Sequence, residues 1–275
     1  PVSAQSLGLR RLRVYATICD TAQGSGGELP SVPPASLTVG MGPEMSLQPL
    51  VPALARGVVH LWQVRLDEVR PWYATFLETL SPGERMRAVR YRVSEVRERF
   101  VRTRGSLRAL LSKYCGRPAP SIDLAVGRYG KPYVASSDFA RLSFNLAHSG
   151  NLAMYAFAHG WEVGIDVERP QQVVWTRSML RAVFSEDEQA YLATLDLPER
   201  QWAACRMWTM KEAKAKATGL GLGRSLRADK PACRISACRW YTFEVTSEYI
   251  ATVALYCRDG FKDQTWALIH FHFPG

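Results

Sequence analysis

An aromatic, a carboxylate and an ammonium recur at intervals of four in WTMKEAKAKATGLGLG, residues 208–223: Trp208, Glu212 and Lys216. Residues i, i+4 and i+8 share one face of a helix. Met210 to Ala217 contains only good helix formers, and Gly219, Gly221 and Gly223 then punctuate the end. A glutamate and a lysine so placed can accept a proton and stabilise charge. They can equally form a surface ion pair, so the rest of the chain has to decide what that face is for.

A second pair of acids stands in WEVGIDVERP, residues 161–170. On a strand, Asp166 and Glu168 project from one face while Ile165 and Val167 turn to the core. Two neighbouring carboxylates repel unless a cation joins them. Hard oxygen donors at this density suit Mg²⁺, which keeps several waters and completes its shell with substrate phosphates. The alternative is a polar strand end with two solvated acids. Glu212 then offers a third ligand, or the base that deprotonates an attacking hydroxyl, and Lys216 faces the phosphates and a leaving pyrophosphate. His148, read in a loop of small polar residues, and Lys131, in a Gly-Lys-Pro turn, suit phosphate oxygens. Either can also be an ordinary loop residue.

The 275 residues allow one large domain or two of ordinary size, and 47% apolar content supports a proper core. Six scattered cysteines without a CxxC pair favour free thiols in a reducing compartment. No apolar run is long enough to span a bilayer, and Arg10, Arg11 and Arg13 precede no apolar signal segment. A soluble, cytoplasmic protein with no membrane partner is expected. The net charge of +10 favours an anionic partner. Nine arginines against three glutamates lie between Glu84 and Arg108, without the aromatic interleaving of single-strand binders or a zinc-finger signature. Nucleic acid is therefore not the expected partner.

The elements that must position these residues follow from the pattern. Residues 1–57, rich in Gly, Pro and Ser, read as a poorly structured leader. VVHLWQVRLD from Val58 is a strand, and Pro71 opens a short helix to about Thr79. Ser81-Pro82-Gly83-Glu84 is a capping box that starts a helix carrying the arginine block. A helix over about Val93–Tyr114 ends near Gly116. Ile122–Val126, Leu152–Ala158 and Trp161–Glu168 read as strands, the last two joined at Gly160 as a hairpin. Helices over about Thr176–Ala182 and from Ser185 to about Leu195 precede the helix bearing Glu212. Strand-like runs close the chain at Trp240–Val245, Tyr249–Tyr256 and Thr265–Phe273. Strands and helices thus form an α+β protein whose halves, 58–165 and 166–275, are of similar size.

GRYGKPY, FNLAHSG, VGIDVE and WTMKEAKAKATGLGL occur in the order and approximate spacing of the Sfp-type 4′-phosphopantetheinyl transferases, which the chain resembles from about Val58 to Leu255. The resemblance implies a pseudo-dimer of two similar α+β halves with coenzyme A in the cleft between them. It implies transfer of the phosphopantetheine arm of coenzyme A to a serine of an apo carrier protein, with release of 3′,5′-ADP. Position by position, Asp166, Glu168 and Glu212 correspond to the ligands of Mg²⁺, with Mn²⁺ as a substitute, and Glu212 also to the base. Lys216 corresponds to the lysine that assists pyrophosphate departure. His148 and Lys131 correspond to coenzyme contacts, with Arg85 and Arg104 as candidates for the 3′-phosphate or pyrophosphate. Two positions depart from the family: Ala147 stands where Ser is usual, removing a hydroxyl from the expected coenzyme contacts, and Lys214 where an apolar or aromatic residue is common. An acidic helix beside the acceptor serine of the carrier matches the basic charge. A working monomer is expected, because both halves of the site lie in one chain. A Mg²⁺-dependent nucleotide phosphohydrolase and a basic nucleic-acid-binding module are the alternatives.

Overall fold

The computed structural model describes residues 53–221, 237–261 and 266–273, together with two strands nearer the N-terminus. Strands β1 (Val14–Cys19), β2 (Ala35–Leu37) and β3 (Val58–Arg65) are followed by α1 (Tyr73–Thr79), α2 (Pro82–Arg90) and α3 (Ser94–Cys115). A small hairpin of β4 (Leu124–Val126) and β5 (Pro132–Val134) leads to β6 (Leu142–Ser149), β7 (Leu152–His159) and β8 (Glu162–Glu168). Then come α4 (Arg177–Val183), α5 (Glu186–Thr194), α6 (Leu197–Thr218), β9 (Cys238–Thr246), β10 (Tyr249–Tyr256) and β11 (Trp266–His272). The architecture is α+β. A six-stranded sheet runs β2-β1-β11-β3-β7-β6, and a three-stranded sheet runs β8-β10-β9.

Strand β7 reads as apolar throughout because both of its faces are buried. On β7, Ala153, Tyr155 and Phe157 face one core, shared with Phe76 of α1 and Leu107, Leu110 and Leu111 of α3. Leu152, Met154, Ala156 and Ala158 face a second core, shared with Val163 and Ile165 of β8 and Val253 and Leu255 of β10. The period of two assigns alternate residues to opposite faces, and each fully buried leucine contributes about 2 kcal/mol. The outer face of the smaller sheet carries α6, where Ala213 and Ala217 meet Ala254 and Thr209 Oγ1 lies 2.9 Å from Thr252 Oγ1.

Helix boundaries follow local chemistry. Ser81 and Glu84 form the expected reciprocal capping box, as do Ser185 and Glu188. Gly116 and Gly219 end α3 and α6 with φ of 60° and 66°, values natural for glycine. Helix α6 reaches much further back than the run from Met210. Asp196 caps it by accepting from the Glu199 amide at 2.9 Å, with Pro198 in the first turn.

Four expectations need correction. Strands β7 and β8 flank the Gly160 turn but enter different sheets, so they do not form the expected hairpin. Within the supposed leader, β1 pairs antiparallel with β11 and β2 pairs with β1; a partner more than two hundred residues away leaves no local signal. The remainder of residues 1–52 lies outside the described residues, as do Leu222 and Gly223. His148 is not in a loop: FNLAHS is strand β6, paired with β7. Strand β8 runs unbroken through 165 and 166, so a division there cuts an element, and β11 from the second half completes the sheet of the first. Among the described residues Cys115, Cys205 and Cys257 are free thiols, and no helix there is long and apolar enough to cross a membrane.

Candidate active site

Strands β6 and β8 are edge strands of different sheets, and they are joined by side chains. Ser143 Oγ accepts from the Val163 amide at 3.1 Å, Asn145 Oδ1 from the Ile165 amide at 3.0 Å, and Ser149 Oγ from the Arg169 amide at 3.2 Å. Each rung links residues twenty apart, so the strands run parallel. Ala147 holds the place of the remaining rung, opposite Val167. It is buried in the core shared with β8 and does not line the cleft. The missing hydroxyl therefore bears on the seam between the sheets rather than on coenzyme contacts.

Gly164 sets how close α6 comes to β8. A Cβ there would lie 2.1 Å from the Ala213 carbonyl oxygen and 2.4 Å from the Ala217 amide nitrogen. Only glycine admits that approach, and Asp166 and Glu168 share its face of the strand. Lys216 Nζ consequently reaches Asp166 Oδ1 at 2.7 Å and the Ile165 carbonyl at 3.2 Å. The lysine thus pairs with Asp166 and not with Glu212, against the simple i,i+4 ion pair. Glu168 accepts from Ser149 Oγ at 2.9 Å and from Trp208 Nε1 at 3.3 Å.

A cleft of about 690 Å³ lies over this seam. It is lined by Lys131, Asn145 and His148, by Glu212 and Lys216 of α6, and by Arg87, Arg99 and Arg104. That volume suits a large small-molecule ligand. Cations on several walls suit a multiply charged anion. Lys131 is tethered to Glu162 Oε2 at 2.6 Å, and Arg104 and Arg108 both pair with Glu84. Burial, then Arg99 and Lys216, hold the His148 imidazole below its ordinary value. Arg85 is not at the cleft: its guanidinium binds the carbonyls of Leu80 at 3.2 Å and Glu78 at 2.8 Å. Arg87 and Arg99, unsingled in the sequence, line it instead; the phase of α2 and α3 selects them from the arginine block. Lys214 lies over the Trp240 ring at 3.3 Å, away from the cleft, so its departure from the family pattern is a packing matter.

The acids differ from the expectation of three carboxylates converging on one point. Among the described residues, no trio of His, Cys, Asp and Glu side chains closes into a metal cage by itself. Lys216 draws on Asp166, while Ser149 and Trp208 draw on Glu168. Their electrostatics still fit a cation. Burial pushes the Asp166 carboxyl up in spite of Lys216, and its Oδ2 is buried without a hydrogen-bond partner. Burial also raises Glu168 and Glu212, each further repelled by Asp166. An orphaned carboxylate oxygen among mutually repelling acids suits a hard divalent ion that takes further oxygens from water and phosphate.

A basic cleft beside buried acids, in an α+β scaffold of two joined sheets, suits a multiply charged anionic ligand. Family models agree in both parts of the chain: "4′-phosphopantetheinyl transferase, N-terminal" matches residues 62–159 and "4′-phosphopantetheinyl transferase superfamily" matches 162–267. The chain is 33% identical over 207 residues to the 4′-phosphopantetheinyl transferase HetI of Nostoc sp., covering 72% of this chain and 87% of that protein. It is 37% identical over 144 residues to AcpT of Salmonella typhi, covering 50% and 71%, and 27% identical over 151 residues to Sfp of Bacillus subtilis, covering 55% and 65%. The chain belongs to the 4′-phosphopantetheinyl transferase family.

Proposed function

We propose that the protein moves the 4′-phosphopantetheine arm of coenzyme A onto a serine hydroxyl of an apo carrier protein and releases 3′,5′-ADP. The observation that carries this reading is one cleft uniting Lys131, His148, Arg104, Glu212 and Lys216, backed by Asp166 with its orphaned Oδ2. Cations along the walls hold the phosphates and ribose end of the coenzyme. Glu212, with its carboxyl raised by burial, accepts the proton from the serine hydroxyl. The serine oxygen bonds to the β-phosphorus as the bond to the bridging oxygen breaks. Lys216 leaves Asp166 to neutralise charge building on the departing 3′,5′-ADP. Asp166, Glu168 and Glu212 would hold Mg²⁺ or Mn²⁺, which when bound lends positive charge to the diphosphate.

Incubation with coenzyme A, Mg²⁺ and apo acyl carrier protein tests the reading by mass spectrometry. A gain of one phosphopantetheine on the carrier is expected. Release of 3′,5′-ADP without any acceptor, and no gain on the carrier, would overturn transfer in favour of hydrolysis. Fatty acid, polyketide and nonribosomal peptide carriers are to be ranked by their rates. The positive charge steers an acidic carrier surface to the cleft, so the rate should fall as salt is raised.

A further inference from the structure

Glu162 opens β8 on the face that Gly164, Asp166 and Glu168 also occupy. It lies outside the cleft lining, yet its Oε2 accepts from Lys131 Nζ at 2.6 Å, and Lys131 does line the cleft. The same oxygen accepts from Ser143 Oγ at 3.0 Å. With its one proton given to Glu162, that hydroxyl is left as an acceptor. It takes the Val163 amide at 3.1 Å and the Lys131 ammonium at 3.4 Å. Carboxylate, hydroxyl and ammonium thus close a ring. An ammonium has three N–H bonds; two are spent in this ring, and no described protein group takes the third. The Lys131 side chain is 17% exposed and that of Glu162 56%, so the acid reaches the amine from the solvent side.

We infer that Glu162 is a positioning residue: through Lys131 and Ser143 it holds the ammonium at the cleft wall with one N–H bond left for a phosphate oxygen of the coenzyme. This inference rests on the coenzyme A reading of the cleft. A lysine left to itself is a mobile point charge on a flexible stem. Burial works against that charge, and Glu162 works to keep it. The acid therefore aids anion binding although its own charge opposes it. That conflict of signs separates positioning from mere proximity, because losing a carboxylate near a basic cleft should by itself strengthen the hold on an anion.

Calorimetric titration of the full chain with coenzyme A tests this in Glu162→Gln and Glu162→Ala. Binding should weaken by about fivefold in Glu162→Gln and further in Glu162→Ala. The melting temperature should hardly move, since an ion pair with a largely exposed acid adds little to stability. In a Lys131→Ala background, Glu162→Gln should no longer weaken binding, and the removed negative charge should strengthen it slightly. The affinity of Glu162→Gln should also fall away at lower pH than that of the parent, because the ammonium loses the partner that raises its pKa. Tyr129 of the same turn, His148 of β6, Glu212 and Lys216 of α6 and arginines of α2 and α3 also line the cleft. They are common to both proteins, so the difference belongs to Lys131.

Coenzyme A affinity in Glu162→Gln equal to or above that of the parent, or an unshifted pH profile, would overturn the inference and leave the transferase reading intact. Equal weakening with and without Lys131 would overturn it too, by assigning the effect to the seam at Ser143. A parent protein that does not bind coenzyme A would remove the reading of the cleft and the inference with it.

Discussion

Lys216 donates to Asp166 across 2.7 Å, while Glu212, one helical turn away on the same helix, makes no such pair with it. Two residues with the spacing of a surface ion pair are thereby separated. The lysine neutralises a buried acid, and the glutamate is left facing the cleft with a raised pKa. In the proposed reaction the phosphates of the coenzyme take over the lysine.

Removing Lys216, Glu212 or Asp166 should therefore damage rate more than fold. Lys216→Ala, Glu212→Gln and Asp166→Ala are each expected to lower the transfer rate by roughly 10²–10³. Single-turnover assays with circular dichroism as the control for folding would check this. A near-parental rate in any one variant removes that residue from the mechanism. Burial raises the Asp166 carboxyl, which eases its protonation once the lysine is gone, so Lys216→Ala should cost little stability.

Gly164→Ala should do the reverse and damage the fold itself. The new Cβ meets backbone atoms of Ala213 and Ala217, which cannot swing aside as a side chain can. A loss of about 3 kcal/mol is expected, at the upper end for overpacking. The melting temperature measures the loss, and an unchanged value would mean that α6 does not lie so near β8.

His148 provides a direct reading of ligand charge. Burial, Arg99 and Lys216 lower its pKa in the free protein. A phosphate bound among the three should favour the imidazolium and raise it. By linkage, coenzyme A affinity should then strengthen as pH falls through the range between the two values. An NMR titration of the imidazole with and without 3′,5′-ADP shows the shift; no change on saturation would place the phosphates elsewhere.

Acid should also loosen the larger sheet. His60 is fully buried, with Nδ1 2.9 Å from the Tyr114 hydroxyl and Nε2 unpartnered. Burial lowers its pKa to about 4. The unfolded chain, titrating near 6.5, then binds more protons than the fold between those values. Its contribution is complete above pH 6.5 and declines as pH falls toward 4, by on the order of 3 kcal/mol in all. Denaturant melts at pH 7 and 4.5, compared with His60→Leu, isolate this from the acids Glu168 and Glu212, whose raised pKa values act with opposite sign.

Ala147→Ser should restore the absent rung between β6 and β8. A hydroxyl there, in register with the rungs at Val163, Ile165 and Arg169, can accept from the Val167 amide. A gain of about 1 kcal/mol is expected, read as a higher denaturant midpoint. A loss would show that the seam is already closed at that point.

Local chemistry made much of this legible. Capping boxes at Ser81 and Ser185, glycines after α3 and α6, and the alternation of Asp166 and Glu168 all depend on neighbours in sequence. What escaped depended on distant partners. SFNLAHS reads as a polar loop because its two serines and its asparagine bond to a strand twenty residues on. Arg85 looks as suitable as Arg87 or Arg99 until the phase of two successive helices is known. Strand β1 has no meaning without β11. Gly164, a glycine on the acidic face of a strand, has a use only once the helix with Glu212 and Lys216 is seen packed against it.

That β11 lies between β1 and β3 also constrains how the molecule can be assembled and divided. During synthesis β3 must wait for about two hundred further residues before its open edge is covered by Trp266–His272. The early chain is therefore exposed to wrong edge-to-edge pairing for most of translation. A cut at the Gly160 turn would give a first fragment that keeps this sticky edge and a second that carries a strand with no sheet to enter. The two pieces should aggregate alone and recover only when made together.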